Sequence, residues 1–503
     1  MRRDRCLTRI VATVGPACDS DEGLRSLLEA GVSAFRLNFS HGTPEAHATT
    51  VRRIRAVEER CGIPVAIVAD LPGPKVRLRG LSEPIRLVRG GEVRIGAGGG
   101  SRGGPIPRLD AASPDLVHDV EAGARILIDD GAVRLLVLER RAGPDGSELV
   151  CTTLEGGEVR EGKGLNLPDT ELRTDPITPR DLAAIEVVAT SEVDFVAMSF
   201  VQRPADLARM REALASAWAA AGRSGPPPSL IAKIERPVAL DHLDAIVAGA
   251  DAVMVARGDL GVEMDLALVP IAQKRILEAC RREGRPAIVA TQMLQSMIEE
   301  PQPTRAETTD VANAVLDGAD AVMLSGETAI GKHATLAVET LVRVAAAAEA
   351  YEASRPRDEE RPRVAPERAA VGALASGLSA MAEALAVRHI AAWSPRGTTA
   401  TFLSRHRYAA SILALGTEPG ILRRMRLLRA VEPVRLPRAP RDFADLLDLA
   451  EDALRAVADA RPGDLCLIAS GEALPGTGEV TASLRRIAHA AARGANADGG
   501  GAA

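Results

Sequence analysis

Lysine is scarce in this chain. Of 503 residues only five are Lys (Lys75, Lys163, Lys233, Lys274 and Lys332), and arginine supplies almost all other positive charge. Where any cation serves, arginine is used, so a surviving lysine marks a place that needs a compact point charge or a titratable amine. Chance accounts for Lys274 and Lys332; the other three fall inside the motifs below. Cysteine is sparse too. Cys6, Cys18, Cys61, Cys151, Cys280 and Cys466 are scattered with no C-x-x-C pair, so neither a disulfide framework nor a zinc site is indicated, and free thiols in a reducing compartment are expected. No apolar run is long enough to span a bilayer, and the basic stretch Met1 to Arg9 is not followed by a signal-peptide core. A cytoplasmic address with no membrane partner is therefore expected. The net charge of −6 argues against nucleic acid held by bulk charge. A G-x-x-x-x-G-K-[ST] phosphate loop and the Gly-rich loop of protein kinases are both missing, so any phosphate chemistry must be built on another scaffold.

What is present is a repeat. With 503 residues and 46% hydrophobic content, two to four domains are expected. Eight short Val/Ile/Ala-rich runs recur: Arg9–Val14, Ser33–Leu37, Val65–Ala69, Val193–Met198, Leu230–Ile234, Ala252–Ala256, Pro286–Ala290 and Asp320–Leu324. Each reads as a strand buried on both faces, with helical segments between most of them. The predicted class is α/β, a (β/α)8 TIM barrel over residues 1–78 and 169–350, whose site gathers at the C-terminal ends of the strands. From about Leu78 to Asn166 the character changes to short alternating strands, such as Gly91–Ile95, Arg125–Ile128 and Val133–Leu138, with a hairpin-like turn at Asp129-Asp130-Gly131. This predicts a small β-barrel domain inserted over 79–168. Asp175 to Asp181 reads as a helix start, and a long Ala-rich helix runs from about Glu339 to Ala353. Arg355 to Pro366 reads as a linker. A C-terminal α/β open-sheet domain is expected over 367–493, with a helix Glu367–Ala386 and strands near His389–Ala392, Ser411–Leu415 and Leu465–Ala469. The Gly/Ala/Asn tail 494–503 is expected to be disordered.

Chemistry is concentrated at the strand ends. Glu235 and Asp259 follow the fifth and sixth strands, and two carboxylates on adjacent strand ends can share a hard divalent cation such as Mg2+, which takes one or two protein carboxylates. An isolated acid is more often solvated or ion-paired, but the neighbouring rare Lys233 and the Gly258-Asp259 turn favour the metal. Lys233 lies two residues before Glu235 and so shares its face; an ammonium there can stabilise an enolate or a transferring phosphoryl oxygen, or simply pair with Glu235. Arg36, Asn38 and Ser40 also share a face, giving a phosphate clamp and two oxygen ligands. Asp70 and Ser199 end the third and fourth strands. Thr291 and Ser325 bring hydroxyls to two further ends, although a lone hydroxyl there is more often a helix cap.

The ordered motifs Thr8–Ala17, Arg36–Gly42, Lys163–Pro168, Ala232–Glu235, Met254–Gly261, Ala290–Leu294, Pro303–Glu307 and Met323–Thr328 make the chain resemble the pyruvate kinase family over essentially its whole length. The resemblance implies transfer of the phosphoryl group of phosphoenolpyruvate to ADP, giving pyruvate and ATP. It implies that Glu235 and Asp259 hold Mg2+, that Lys233 stabilises the phosphoryl group and the enolate, and that Arg36 and Ser199 bind the phosphate. Backbone at Gly258 and Asp259, with Thr291, would seat the carboxylate, and Thr291 and Ser325 would lie where the methylene carbon is protonated. Arg77, Lys163, Asn38 and His41 would contact the nucleotide, the inserted domain would act as a lid, and a second Mg2+ would arrive with ADP or ATP.

Many members need K+, held by residues matching Asn38, Ser40, Asp70 and the Leu71 carbonyl. Here the segment after Asp70 reads Leu71-Pro72-Gly73-Pro74-Lys75, with Lys75 where K+-dependent members have Glu. A tethered ammonium can supply the charge of a bound K+, so K+ is expected not to be required. The family's effector loop corresponds to Ser394-Pro395-Arg396-Gly397-Thr398-Thr399. There Pro395 and Arg396 replace small hydroxyl residues, leaving either a phosphate site built on Ser394, Arg396, Gly397, Thr398 and Thr399 or a structural turn. A homotetramer is implied by the resemblance alone. The alternatives are a catalytically silent paralogue sensing phosphometabolites, and a different Mg2+-enolate reaction such as pyruvate aldol chemistry. The intact Arg36, Lys233, Glu235, Asp259 and Thr291 argue against the first; the lid and Lys163 weaken the second.

Overall fold

The computed structural model describes residues 6–98, 100–111, 114–143, 146–170, 175–354, 369–407, 410–458, 460–476 and 480–488. Its centre is a closed barrel of eight parallel strands, each paired with its neighbours in chain order. The strands are Arg9–Thr13, Ala34–Asn38, Ala66–Asp70, Phe195–Met198, Ser229–Ile234, Ala252–Ala256, Ala287–Ala290 and Ala321–Leu324. They are the eight expected runs, with ends moved by a residue or two. Side chains alternate between two separate clusters. Ile10 and Ala12 join the layer under the helices, whereas Val11 packs inside the barrel with Ala34, Ala66, Val68, Ala197, Ile231, Met254 and Ile288. The many alanines follow from the narrow lumen of an eight-stranded barrel.

The floor of this barrel is made by another domain. Leu427 packs with the interior residues, and the Arg9 guanidinium donates from Nε to Leu428 O at 2.9 Å and also bonds Val431 O. Elsewhere on the same interface Arg405 Nε donates to Gly284 O (3.0 Å), Arg407 Nη1 to Gly318 O (2.9 Å) and Arg424 Nη2 to Pro227 O (2.9 Å). Gly284 and Gly318 follow the helices Val269–Glu283 and Arg305–Leu316, so the guanidinium forks satisfy carbonyls at helix ends that have no partner within the helix.

The inserted segment forms a closed seven-stranded barrel of its own, with Val76–Arg79, Glu92–Gly96, Arg108–Ala111, Arg125–Ile128, Val133–Gly143, Gly146–Glu155 and Gly164–Asn166 as staves. Arg125–Ile128 and Val133–Gly143 pair antiparallel around a turn in which Asp129 and Asp130 take φ of 56° and 51° and Gly131 86°. The C-terminal domain is a five-stranded sheet flanked by Ala369–Ala384 and Phe443–Val457. Its edge strands Val431–Arg435 and Thr481–Arg486 escape the sequence pattern for a physical reason. One carries Pro433 and the other is largely exposed and polar, which is how edges are protected from further pairing. The expected linker Arg355–Pro366, the start of the expected helix at Glu367 and the tail 494–503 lie outside the described residues. Among the described residues no helix is long and apolar enough to cross a membrane.

The expected helix start near Asp175 is the helix Pro179–Thr190, opened by a capping box between Thr178 and Asp181 with Pro179 in its first turn. Asp181 is buried and also accepts from Gly73 N at 3.0 Å, so one carboxylate starts a barrel helix and fixes the chain entering the small barrel. Asp181→Ala should lower stability by about 2 kcal/mol, through the lost cap and the orphaned Gly73 amide. Urea unfolding of the full chain checks this; an unchanged midpoint would discount the double role.

Candidate active site

The ends of strands three to five converge on one ammonium, and strand two adds a second cation beside it. Lys233 Nζ is buried and lies 2.6 Å from Ser199 Oγ, 2.8 Å from Glu235 Oε1 and 3.0 Å from Asp70 Oδ1. Ser199 Oγ in turn donates to Leu71 O at 2.6 Å. Arg36 Nε reaches the other Asp70 oxygen at 2.6 Å, and its Nη1 reaches Thr13 Oγ1 at 3.2 Å. Burial works against the charge on Lys233, but Asp70 and Glu235 outweigh it and hold the amine above its usual range. Burial likewise opposes the Asp70 carboxylate, and Lys233 and Arg36 bring it below the usual range. Glu235 moves the other way. Burial pushes it upward and the neighbouring Asp259 adds repulsion, with Lys233 only partly offsetting both.

Glu235 is aimed by backbone as well. Its Oε2 accepts from Phe200 N at 2.7 Å, and Phe200 takes φ of 57° to present that amide. Gly73 packs against the same corner with φ of +66°; a Cβ there would lie 2.9 Å from Ser199 Cβ, so a side chain would push the entry to the small barrel off the site.

The seventh strand ends in two consecutive left-handed residues, Thr291 (φ 71°) and Gln292 (φ 53°). A β-branched residue in that region is strained. Arg257 holds the strain in place, donating from Nη2 to Thr291 O at 2.6 Å while Nη1 pairs with Asp310 at 2.7 Å. The outcome is that Thr291 Oγ1 accepts from Gly258 N at 2.7 Å. Thr291 thus satisfies a first-turn amide of the neighbouring helix Arg257–Glu263 rather than capping a helix of its own. Ser325 precedes the short helix Gly326–Ala329 without capping it through its side chain; its amide donates to buried Glu327 Oε2 at 2.7 Å.

Of the remaining candidates, Asn38 sits in register beside Asp70, and the others bond elsewhere. Asn38 Oδ1 accepts from Ser40 N (3.1 Å), Ser40 O accepts from Arg180 (2.8 Å), and His41 O contacts the His47 ring (2.8 Å). Arg77 donates to Gly162 O at 2.9 Å, and Lys163 pairs with Asp129 at 2.8 Å. Lys75 lies 3.5 Å from Asp130; the cations on Asp70 are Arg36 and Lys233 rather than Lys75. In the C-terminal domain Ser394 Oγ accepts from Ala400 N (3.1 Å), and Arg396 pairs with Glu472 (3.2 Å). Gly397 takes φ of 80° before the helix Thr398–Ser404, and Thr399 Oγ1 is buried without a partner.

Sequence reasoning missed Thr13, Arg236, Glu263 and the role of Asp129 and Asp130 beyond their turn. One signal was available: Glu263 lies four residues after Asp259, on the same helical face.

The barrel-domain model of pyruvate kinase matches residues 5–338, and the alpha/beta-domain model of the same family matches 372–484. The chain belongs to the pyruvate kinase family. A pyruvate kinase of Mycobacterium tuberculosis is 38% identical over 470 residues, covering 93% of this chain and 95% of that protein. One from Agrobacterium vitis is 40% identical over 473 residues, covering 93% and 94%. A crystal structure of a pyruvate kinase from Cryptosporidium parvum superposes with a TM-score of 0.86 at 31% identity, covering 96% of each chain. The chain is thus a phosphotransferase of a divalent-metal-dependent family whose substrates are phosphoenolpyruvate and ADP or ATP, with pyruvate as product. Pyruvate kinase chemistry needs a hard cation, and the donor set suits one. Among the described residues no group of three or more His, Cys, Asp or Glu side chains is clustered for a metal, but Glu235 and Asp259 form a mutually repelling carboxylate pair, the number of protein carboxylates that Mg2+ typically takes.

Lys233→Met should leave Glu235 buried without its counter-charge and cost about 3 kcal/mol. A guanidinium-chloride unfolding midpoint equal to wild type would show that Lys233 is not what neutralises this mouth.

Proposed function

We propose that this chain transfers the phosphoryl group of phosphoenolpyruvate to ADP at the mouth of the large barrel, and that the buried ammonium of Lys233 is the group on which the transfer turns. The observation that carries the reading is the convergence of Lys233, Ser199, Asp70 and Glu235 within 3.0 Å of one nitrogen. Arg36 and Ser199 bind the phosphate of the donor. Backbone at Gly258 and Asp259, together with Thr291, seats the carboxylate, so the Thr291 hydroxyl must yield its place on Gly258 N when substrate enters. Lys233, held charged, follows the negative charge as it moves from the transferring phosphoryl oxygens to the enolate left behind. Thr291 and Ser325 lie on the side from which the methylene carbon receives its proton.

Glu235 and Asp259 would hold Mg2+, which when bound supplies Lewis-acid stabilisation of the same oxygens; a second Mg2+ enters with the nucleotide. Asn38, His41, Arg77 and Lys163 contact ADP, for which Lys163 leaves Asp129. The small barrel acts as a lid that keeps water from the phosphoryl group. K+ is not required. Lys75 brings a permanent cation to the segment leaving Asp70, although its ammonium pairs with Asp130 and any help to Asp70 acts at longer range. A homotetramer, a cytoplasmic address and a phosphate-binding effector loop at Ser394, Arg396, Gly397, Thr398 and Thr399 belong to the same proposal and rest on family membership.

Steady-state pyruvate formation from phosphoenolpyruvate, ADP and Mg2+ tests the reading. Turnover is expected at similar rates with K+ and with a bulky organic cation at equal ionic strength. Activity that appears only with K+ would remove the Lys75 argument and keep the reaction. No turnover in either buffer, with or without sugar phosphates or AMP, would favour the sensing paralogue. Lys233→Met should lower kcat by about a thousandfold or more, with a smaller change in the KM for ADP.

A further inference from the structure

The lid is joined to the large barrel by two crossings, and the returning one is held by an ion pair with no place in the chemistry above. Arg236 and Glu263 are both buried, with Nε 3.0 Å from Glu263 Oε2. Arg236 Nη2 also donates to Leu167 O at 2.6 Å and to Thr170 O at 2.7 Å, and Nη1 donates to Gln202 Oε1 at 3.1 Å. Four of the five guanidinium N–H groups are thus used, two of them on the carbonyls where the chain leaves the lid. Glu263 Oε1 takes the Asn166 side-chain amide at 3.1 Å, and Asn166 ends the last lid strand, Gly164–Asn166. Around them is a cavity of about 20 Å³ lined by Pro74, Lys75, Leu167, Phe200 and Gln202 among others, room for about one water.

The position of this pair along the chain matters most. Arg236 is the residue after Glu235. Glu263 closes the helix Arg257–Glu263, whose first turn carries Asp259. Glu235 is therefore the chain neighbour of one half of the ion pair, just past the strand Ser229–Ile234, and Asp259 shares a short helix with the other half. A buried ion pair adds little net stability over apolar packing; what a planar fork with fixed donors supplies is geometry.

We propose that Arg236 and Glu263 are positioning residues that couple a divalent cation at Glu235 and Asp259 to the hinge of the lid, so that drawing the two carboxylates together also sets the Asn166–Thr170 crossing. This rests on the cation site of the preceding reading. Anchoring of Leu167 and Thr170 to Arg236, and of Asn166 to Glu263, gives the two sides of the metal site a common grip on one segment of chain.

The test uses the full chain, with Mn2+ as the probe cation and no substrate. Mn2+ affinity is read by electron paramagnetic resonance, and amide hydrogen exchange is followed over residues 157–170. Wild type should show exchange at this crossing slowed by about fivefold or more when Mn2+ binds. Arg236→Lys, which keeps charge but loses the fork, should bind Mn2+ within about threefold of wild type and lose the slowing. Asn166→Ala removes the hold on Glu263 Oε1, keeps Arg236 on Leu167 and Thr170, and introduces no unpaired charge. It should reduce the slowing, and it keeps the idea testable if the arginine variant folds poorly. Slowing that persists in both variants, or is absent in wild type, overturns the coupling. Turnover in wild type without any slowing would sink the coupling alone; slowing without turnover would sink the proposed reaction alone.

Discussion

A single buried ammonium organises the mouth of the large barrel. Taking Lys233 out of water is unfavourable, and it stays charged because Asp70 and Glu235 lie within 3.0 Å. That requirement propagates. Asp70 needs a second cation on its far oxygen, which is Arg36, and Arg36 needs Thr13 as a further acceptor. These residues come from the first, second, third and fifth strands, with Glu235 one residue past the fifth. Only closure of the barrel brings them together, so the electrostatics of the site and the completeness of the fold are one constraint. Separating the strands would leave several buried charges facing nothing.

The scarcity of lysine has a structural counterpart. Where this chain must hold backbone across a gap it uses arginine, because a fork can take two carbonyls at once. Arg236 spans Leu167 and Thr170, and Arg9 spans Leu428 and Val431. Lysines instead meet carboxylates as point charges: Lys233 on Asp70 and Glu235, Lys163 on Asp129 and Lys75 on Asp130. The last two tie the strained turn of the small barrel to residues at its base, so cations proposed to serve nucleotide or K+ chemistry already have acidic partners within that barrel.

The eight barrel strands were legible because a strand buried on both faces needs an uninterrupted apolar run, and such runs are few. Lys233, Glu235, Asp259 and Arg36 were legible because barrel chemistry collects at strand ends. The edge strands Val431–Arg435 and Thr481–Arg486 were not, since an edge is disguised by the proline and charge that protect it. Arg236, Glu263 and Asn166 were hidden for another reason. Their meeting joins positions 97 and 27 residues apart, and nothing local in Asn166 announces a partner. Thr291 read more readily as a cap than as a strained residue clamped by Arg257, because backbone strain leaves no mark on composition.

The first strand runs the whole depth of the barrel in five residues, Arg9 to Thr13. Its inward side chains are Arg9 at the floor, Val11 in the middle and Thr13 at the mouth. The floor end is bonded to carbonyls of the C-terminal domain, and Leu427 of that domain fills the space beneath Val11. The catalytic barrel is therefore not a separable module. Without that domain it would be an open-ended tube with a guanidinium stranded at the bottom, roughly 13 Å along one strand from the threonine that supports Arg36. Whatever use evolution makes of the C-terminal domain, it cannot be discarded as an accessory, because it is also the plug.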